Sequence, residues 1–418
     1  MRPSVEATTL CAVPEQPQQG RHRPPPADAE RTQAVRRRRL GALLGLVAAV
    51  LVVALAVRAI GDDANEPPAF TEAAQESAPQ AAAAPEPVRF TVAASGDFLI
   101  HSPVFAVALE NGGGDRYDFA PMFEEVAPYI EEADLGICHM ETPMTDAEPL
   151  GYPVFNTPPD LARAIASTGW DVCSTASNHA LDQGEEGVAS TLQTLDRAGV
   201  AHAGTAASRA EAERPTIVEV EGVKVALLAY TEMTNGIPLP KPYSVELAKV
   251  PEILDDARAA REAGAEVVIV SLHAGDEYQA APSKSQKKLA EALTSSDDVT
   301  AVIGQHVHIV QPIDEVNGKP VVYGEGNLIS NQDVACCPEA SQDGLIALLD
   351  FVVDAEGARV ERTRYVPTYV SRPDYTVLPV GDALQDGKVD AAALRASYER
   401  TVDVVGTKPA RPEPRRLP

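Results

Sequence analysis

From Val88 to Val370 the chain alternates between two spacings of apolar residues. Short runs rich in Val, Ile and Leu, read as strands, fall at Val88 to Ala94, Leu135 to His139, Asp171 to Thr175, Lys224 to Tyr230, Val267 to Leu272 and Val299 to Ile303. Ala-rich stretches near Pro159 to Ser167, Glu185 to Ala198, Pro251 to Ala263 and Ser283 to Thr294 carry apolar residues at helical spacing, and Gly169, Gly199 and Gly264 sit where those helices should end. VNGK, Val316 to Lys319, reads as a hairpin turn joining PIDE to PVVYGEGN. Strands alternating with helices predict an α/β fold with a largely parallel or mixed sheet.

Ahead of Val88 the pattern changes. Residues 1–39, rich in Pro, Gln and Arg and without apolar periodicity, are expected to form a disordered basic tail. Leu40 to Val57 is 18 residues without a charge, enough, at ~1.5 Å per helical residue, to cross a hydrocarbon core of ~30 Å. Arg36 to Arg39 precede it and GDDANE follows it. That asymmetry predicts a single transmembrane helix within 40–60, with the amino terminus cytoplasmic and the rest extracellular. A cleaved signal peptide fits less well, because the basic region is long and no small-x-small cleavage site follows. Residues 61–87 read as an extended Ala/Pro/Glu linker, 88–370 as the main domain and 371–418 as a partly disordered C-terminal extension.

Charge narrows the partners. The formal net charge is −26, and residues 1–60 hold nine Arg against four acidic residues, a net of +5 that leaves −31 for the remainder. Such a surface repels nucleic acid and anionic lipid, so no nucleic-acid partner is expected. The five cysteines form no disulfide framework. Cys138 and Cys173, inside expected strands, read as small core residues, while Cys336 and Cys337 pair with each other or with those core thiols under oxidising conditions.

Candidate chemistry collects where the strands end. After successive strands come SGDFLIH with Asp97 and His101, HMETP with Glu141, ASNHALDQG with Asn178, His179 and Asp182, SLHAGDEY with His273, and IGQHVHIVQP with His306 and His308. Six of the eight histidines lie in these segments. In an open α/β sheet the carboxyl ends of the strands share one edge, where sites form. Alternation along a strand would place His306 and His308 on one face. Oxygen and nitrogen donors without convergent cysteines suit Mn²⁺, Zn²⁺, Fe or Mg²⁺. The donors outnumber what one tetrahedral ion needs, so a pair of divalent ions is expected.

GDFLIH, ETP, SNHALDQG, HAGDEY, GQHVHIVQP and YGEGN, in this order across Val88 to Gln332, resemble the CapA family of poly-gamma-glutamate capsule biosynthesis proteins, related to calcineurin-like metallophosphatases. The resemblance implies a metallophosphatase-like four-layer αββα sandwich with a dinuclear metal site. It implies that Asp97 and Glu141 are acidic ligands, with Glu141 bridging, that Asn178 is an amide ligand, and that His273, His306 and His308 are imidazole ligands. His179 resembles the acid that protonates a leaving group, and Asp182 the carboxylate orienting it. His101 is either a ligand or a hydrogen-bonding residue at a helix start. Gly326 and Asn327 read as turn residues, and Glu277 and Tyr278 as candidates for facing substrate. The sequence departs from the family at His139, Gln305, Val307 and Glu325; His139 either adds a ligand or points away from the site. The implied function is a metal-dependent hydrolase of the phosphoesterase type in capsule or cell-envelope polymer synthesis. The alternatives are a non-catalytic polymer-anchoring component of a membrane complex, or a domain that keeps its ligands for stability alone.

Overall fold

VVIVSLH, Val267 to His273, is buried along its whole length, as expected of a parallel strand covered on both faces. Its residues alternate between two cores. Val267 and Ile269 pack into one apolar cluster, and Val268, Val270 and Leu272 into another. This division organises the whole domain. The computed structural model describes residues 86–412 apart from 388, 389 and 408. The expected tail, the transmembrane span Leu40 to Val57 and most of the linker lie outside the described residues. Among the described residues no helix is long and apolar enough to cross a membrane.

The strands are β1 Val88–Phe98, β2 Leu135–Met140, β3 Val172–Ser174, β4 Ala201–Ala203, β5 Thr216–Val220, β6 Val223–Thr231, β7 Val267–His273, β8 Ala301–Gln305, β9 Ile313–Val316, β10 Lys319–Val322, β11 Asn327–Ile329, β12 Asp343–Asp354, β13 Gly357–Val370, β14 Val377–Pro379 and β15 Arg411–Pro412. One sheet runs β14-β13-β12-β1-β2-β3-β4, with β11 also beside β1 and β15 beside β13. The other runs β5-β6-β7-β8-β10-β9. Their centres are parallel, β1 to β4 in the first and β6, β7, β8 and β10 in the second, with antiparallel strands toward the edges.

The sheets face each other across a shared core that includes Phe90, Val92 and Ile137 of the first and Val225, Ile269 and Ile303 of the second. Helices cover the outer faces. Ser102–Asn111 and Asp160–Thr168 bury Val104, Ala108, Leu161 and Ile165 against the first sheet. Val250–Glu262 and Lys284–Thr294 bury Ile253, Ala257, Leu289 and Leu293 against the second. The result is helices, sheet, sheet and helices in four layers. Gly169 and Gly199 end their helices at φ 109° and 79°, a left-handed backbone that glycine adopts without strain.

Three features differ from the sequence reading. The two longest strands, β12 and β13, went unread, because their hairpin turns at Ala355 and Glu356 with no turn-signal dipeptide. The domain also continues past Val370. Strand β14 pairs with β13, and the helix Ala391–Val405 buries Leu394, Ser397, Thr401 and Val405, so the described part of the expected extension is built into the fold. Finally, Cys138 and Cys173 are bonded to each other rather than free in the core: they are register partners on β2 and β3, with Cα atoms 4.4 Å apart. Cys336 is bonded to Cys337.

Candidate metal centre

Parallel strands from both sheets end at one place. Asp97, near the end of β1, is in register with His139 of β2 and Asn327 of β11, and a bulge interrupts β1 between Ala94 and Asp97, a device that re-aims a side chain beside a site. Gly96 permits the approach of the neighbouring backbone: a Cβ there would lie 1.9 Å from Gly326 O. Glu141 follows β2, His273 ends β7, and His306 and His308 follow β8. Asn178 and His179 lie in the loop after β3.

These groups meet in the interior. Asp97 Oδ2 is 3.1 Å from His308 Nδ1, Asp97 Oδ1 accepts from the His306 amide at 3.3 Å, and His139 Nε2 is 3.8 Å from Asp97 Oδ1. Glu141 Oε1 lies 3.9 Å from both His273 Nε2 and His308 Nε2. Asn178 Oδ1 is 2.9 Å from His273 Nε2. The rings of His139 and His273 stack at 4.8 Å, and those of His273 and His306 stand 4.6 Å apart.

His306 and His308 do not continue the strand, so strand alternation is not what aligns them. β8 stops at Gln305, and the two histidines take φ values of 91° and 58°. A left-handed backbone at non-glycine residues is strained, and persists where surrounding contacts over-determine it. The His306 amide is held by Asp97, the Val307 carbonyl by the Tyr278 amide at 2.8 Å, and the His308 carbonyl by Asn327 Nδ2 at 3.4 Å.

Burial dominates the electrostatics. It lowers His139 and His306 to about 4 and drives His273 well below the usual imidazole range, with neighbouring histidines adding to the effect. Burial pushes Glu141 well up, aided by Asp97. Burial also raises Asp97, but the hydrogen bond and charge of His308, with His139, hold it below its ordinary value. His308 is lowered by burial yet reaches about 9 through Glu141 and Asp97. Several polar atoms in the cluster are buried without hydrogen-bond partners: both Glu141 carboxylate oxygens, His139 Nε2, His273 Nδ1 and His306 Nδ1. Buried polar groups normally find partners, and a bound ion is one standard way of supplying them. Asp97, His139 and His273 form one group with donor atoms within 4.8 Å of one another, and Asp97, Glu141 and His308 form a second. The residues fit divalent metal ions.

The remaining expected residues have distinct places. His179 Nδ1 is 2.7 Å from Asp182 Oδ2, which also accepts from the Phe155 amide at 2.8 Å. The Phe155 ring packs edge-on against His179 at 4.7 Å and His101 at 5.2 Å. His101 precedes the helix Ser102–Asn111. Its Nδ1 lies 3.0 Å from Leu99 O and 3.2 Å from the Asn331 amide, and it belongs to neither ligand group. His139, left open between two directions, faces Asp97, while its Nδ1 is tied to Ser174 Oγ at 2.7 Å. Asn327, read as a turn residue, has Oδ1 3.0 Å from His308 Nδ1; its register beside Asp97 comes from β11, a strand too short to read by periodicity. Phe155 and Asn235 also border the site, the latter accepting from Asn178 at 3.3 Å, and neither sits in a segment with metal-ligand character.

A family profile described as bacterial capsule synthesis protein PGA_cap matches residues 91–332. The chain is 25% identical over 255 residues to the capsule biosynthesis protein CapA of Bacillus anthracis, covering 57% of this chain and 62% of that one. It is 26% identical over 217 residues to the PGA biosynthesis protein CapA of Bacillus subtilis, covering 50% and 57%. It thus spans less than two thirds of the length of these relatives. It is 25% identical over 268 residues to a probable polyglutamine synthesis accessory protein of Mycobacterium tuberculosis, covering 59% and 70%. Among solved structures, the calcineurin-like phosphoesterase YfkN of Bacillus subtilis aligns with a TM-score of 0.43 and 15% identity, over 76% of this chain and 99% of that one.

Proposed function

The chain belongs to the bacterial capsule synthesis protein PGA_cap family, and on that premise we propose that it is a membrane-anchored, extracytoplasmic hydrolase of the phosphoesterase type, using two divalent ions, that serves the making of a capsule or related envelope polymer. The observation carrying this reading is Glu141: a fully buried carboxylate with both oxygens unpartnered, facing His273 and His308. A carboxylate in that position calls for cations. Asp97, His139 and His273 would hold one ion and Asp97, Glu141 and His308 the other, with His306 and Asn178 beside them. Bound there, such ions supply an acidified water and charge stabilisation for phosphoryl oxygens.

The chain's own residues account for the proton at the leaving group. Asp182 accepts from His179 Nδ1 and orients the ring, and the opposite nitrogen would serve as the proton donor to the departing oxygen. The Phe155 amide fixes Asp182, and the Phe155 ring shields one side of His179 from water. Leu40 to Val57 would anchor the domain in the bilayer, placing it beside polymer-assembly partners on the outer face.

The test uses the full chain in detergent. Metal analysis should find about two ions per chain, and Mn²⁺ should support turnover of a nitrophenyl phosphate ester. His179→Ala should keep the metal while lowering kcat by at least ~10²-fold. Wild-type protein that carries metal but turns over no ester would leave the non-catalytic capsule-assembly reading standing; protein that binds no metal would remove both the site and the activity.

A further inference from the structure

The large apolar side chains exposed among the described residues are Leu150, Tyr152, Val154, Met233 and Val334. All five lie on loops that leave the strand ends of the metal centre: the first three after β2, Met233 after β6 and Val334 after β11. Each loop is tied to a residue of the site. Tyr152 packs 6.5 Å from Phe155, whose amide donates to Asp182 and whose ring meets His179. Asn235, two residues after Met233, accepts from Asn178. Gln332, two residues before Val334, donates to the Tyr278 hydroxyl at 3.1 Å and accepts from Asn327 at 3.1 Å.

Single exposed apolar residues need no explanation, but a set carried on loops that are each tied to the same site points to an interaction surface. Tyr152 is 78% exposed and Val334 72%. The floor offers no cationic track: among the described residues, the ion-pair partners of Asp97, Glu141 and Asp182 are histidines. The chain beyond residue 60 carries −31 by composition, so a long polyanion is repelled rather than threaded.

We propose that this site, on the phosphoesterase reading above, takes an amphipathic phosphoester, its phosphoryl group at the metal centre and a long hydrocarbon chain laid across the apolar collar. In the reaction a water oxygen bonds to phosphorus as the bond from phosphorus to the alkyl oxygen breaks. His179 gives its proton to that oxygen, and the water's proton passes to solvent. The products are a long-chain alcohol and a phosphate.

The experiment compares dodecyl phosphate with ethyl phosphate, using full-length protein loaded with Mn²⁺ and measuring phosphate release below the micelle concentration. Wild-type kcat/KM should favour the dodecyl ester by at least about tenfold, the gain that roughly two buried methylenes supply. In Leu150→Ser/Tyr152→Ser/Met233→Ser the ratio should fall to within about threefold. A wild-type ratio near one overturns the collar while leaving the phosphoesterase reading in place. Absence of turnover with either ester removes the phosphoesterase reading, and calorimetric binding then decides. Dodecyl phosphate binding tenfold tighter than ethyl phosphate, with the difference lost in the triple variant, supports the collar; equal binding overturns it. Dodecyl phosphate in phosphatidylcholine vesicles separates the two sources of such a chain: turnover there identifies a bilayer lipid, and turnover confined to the monomer identifies a soluble amphiphile.

Discussion

Glu141→Gln separates a metal ligand from a structural ion pair, because the two roles move stability in opposite ways. The Glu141 carboxylate is wholly buried, its oxygens have no hydrogen-bond partners within the chain, and two histidine nitrogens stand 3.9 Å away. Desolvation works against the charge there, and attraction to His308 offsets part of it. Glutamine keeps the volume and removes the charge, while His308 retains Asp97 at 3.1 Å. The metal-free variant should therefore match the metal-free wild type within about 1 kcal/mol, whereas loss of an essential buried pair costs about 3–5 kcal/mol. Added metal should then distinguish them further. Free ion at a hundred times its Kd stabilises the wild type by about 2.7 kcal/mol. An unfolding entropy of about 2.1 cal/mol/K per residue, over the roughly 330 residues from 86 to 412, turns this into a rise in Tm of about 4 °C. Differential scanning calorimetry with and without Mn²⁺ should show a metal-induced shift smaller by about that rise in Glu141→Gln, which keeps only the ion held by Asp97, His139 and His273. A metal-free variant destabilised by 3 kcal/mol or more, or a metal shift undiminished by the substitution, would refute the ligand role.

Other outcomes follow from the same geometry. Glu246 is raised from 4.5 to about 7, first by burial and then by Asp256 and Glu252; the folded protein holds this proton more tightly than the unfolded chain, so stability falls as pH rises from about 4.5 to 7. That displacement corresponds to about 3 kcal/mol, screened to roughly 1–2 kcal/mol because the carboxyl reaches solvent, and urea melts at pH 5 and pH 8 should show Glu246→Gln gaining this much only at the higher pH. Asp182→Asn should lower kcat by about 10²-fold or more while KM and metal content stay as in wild type, whereas loss of a purely structural Asp182 would lower Tm and leave kcat little changed. Removing the Cys138–Cys173 bond, which closes a separation of 35 residues, with Cys138→Ala/Cys173→Ala should cost about 4 kcal/mol on chain-entropy grounds, measured by denaturant melts against wild type.

Much of the site was legible because its residues are consecutive with strand ends. Strand β7 is read from its unbroken apolar run, and His273 is its last residue, so the imidazole is placed once the strand is. The same holds for Glu141 after β2. Legibility fails where position depends on strands distant in sequence. Asn327 reaches His308 because β11 lies parallel to β1 in register with Asp97, a pairing across some 230 residues that no local pattern encodes. His139 sits inside a strand whose residues are all buried, so alternation alone gives no inward or outward face. Its direction is settled by Asp97 on one neighbouring strand and Ser174 on the other. The disulfide was missed for the same reason: Cys138 and Cys173 meet only once β2 and β3 are paired in register.

The spacing of His306 and His308 shows the limit of periodicity most sharply. Two positions apart in an apolar run, they invite a strand reading, and that reading puts both imidazoles on one side for the wrong reason. The chain leaves β8 before reaching them, and each takes a left-handed backbone that costs on the order of 1–3 kcal/mol. Such a cost is sustained only if other contacts fix the turn. Here they come from three directions: Asp97 on β1 holds the His306 amide, Tyr278 after β7 holds the Val307 carbonyl, and Asn327 on β11 holds the His308 carbonyl. Val307, fully buried between the two histidines, anchors the turn in the interior. The orientation of the imidazoles is thus a property of both sheets acting together, which is why the run GQHVHIV, residues 304–310, favours an ordinary core strand in isolation and in this fold presents nitrogen donors to buried carboxylates.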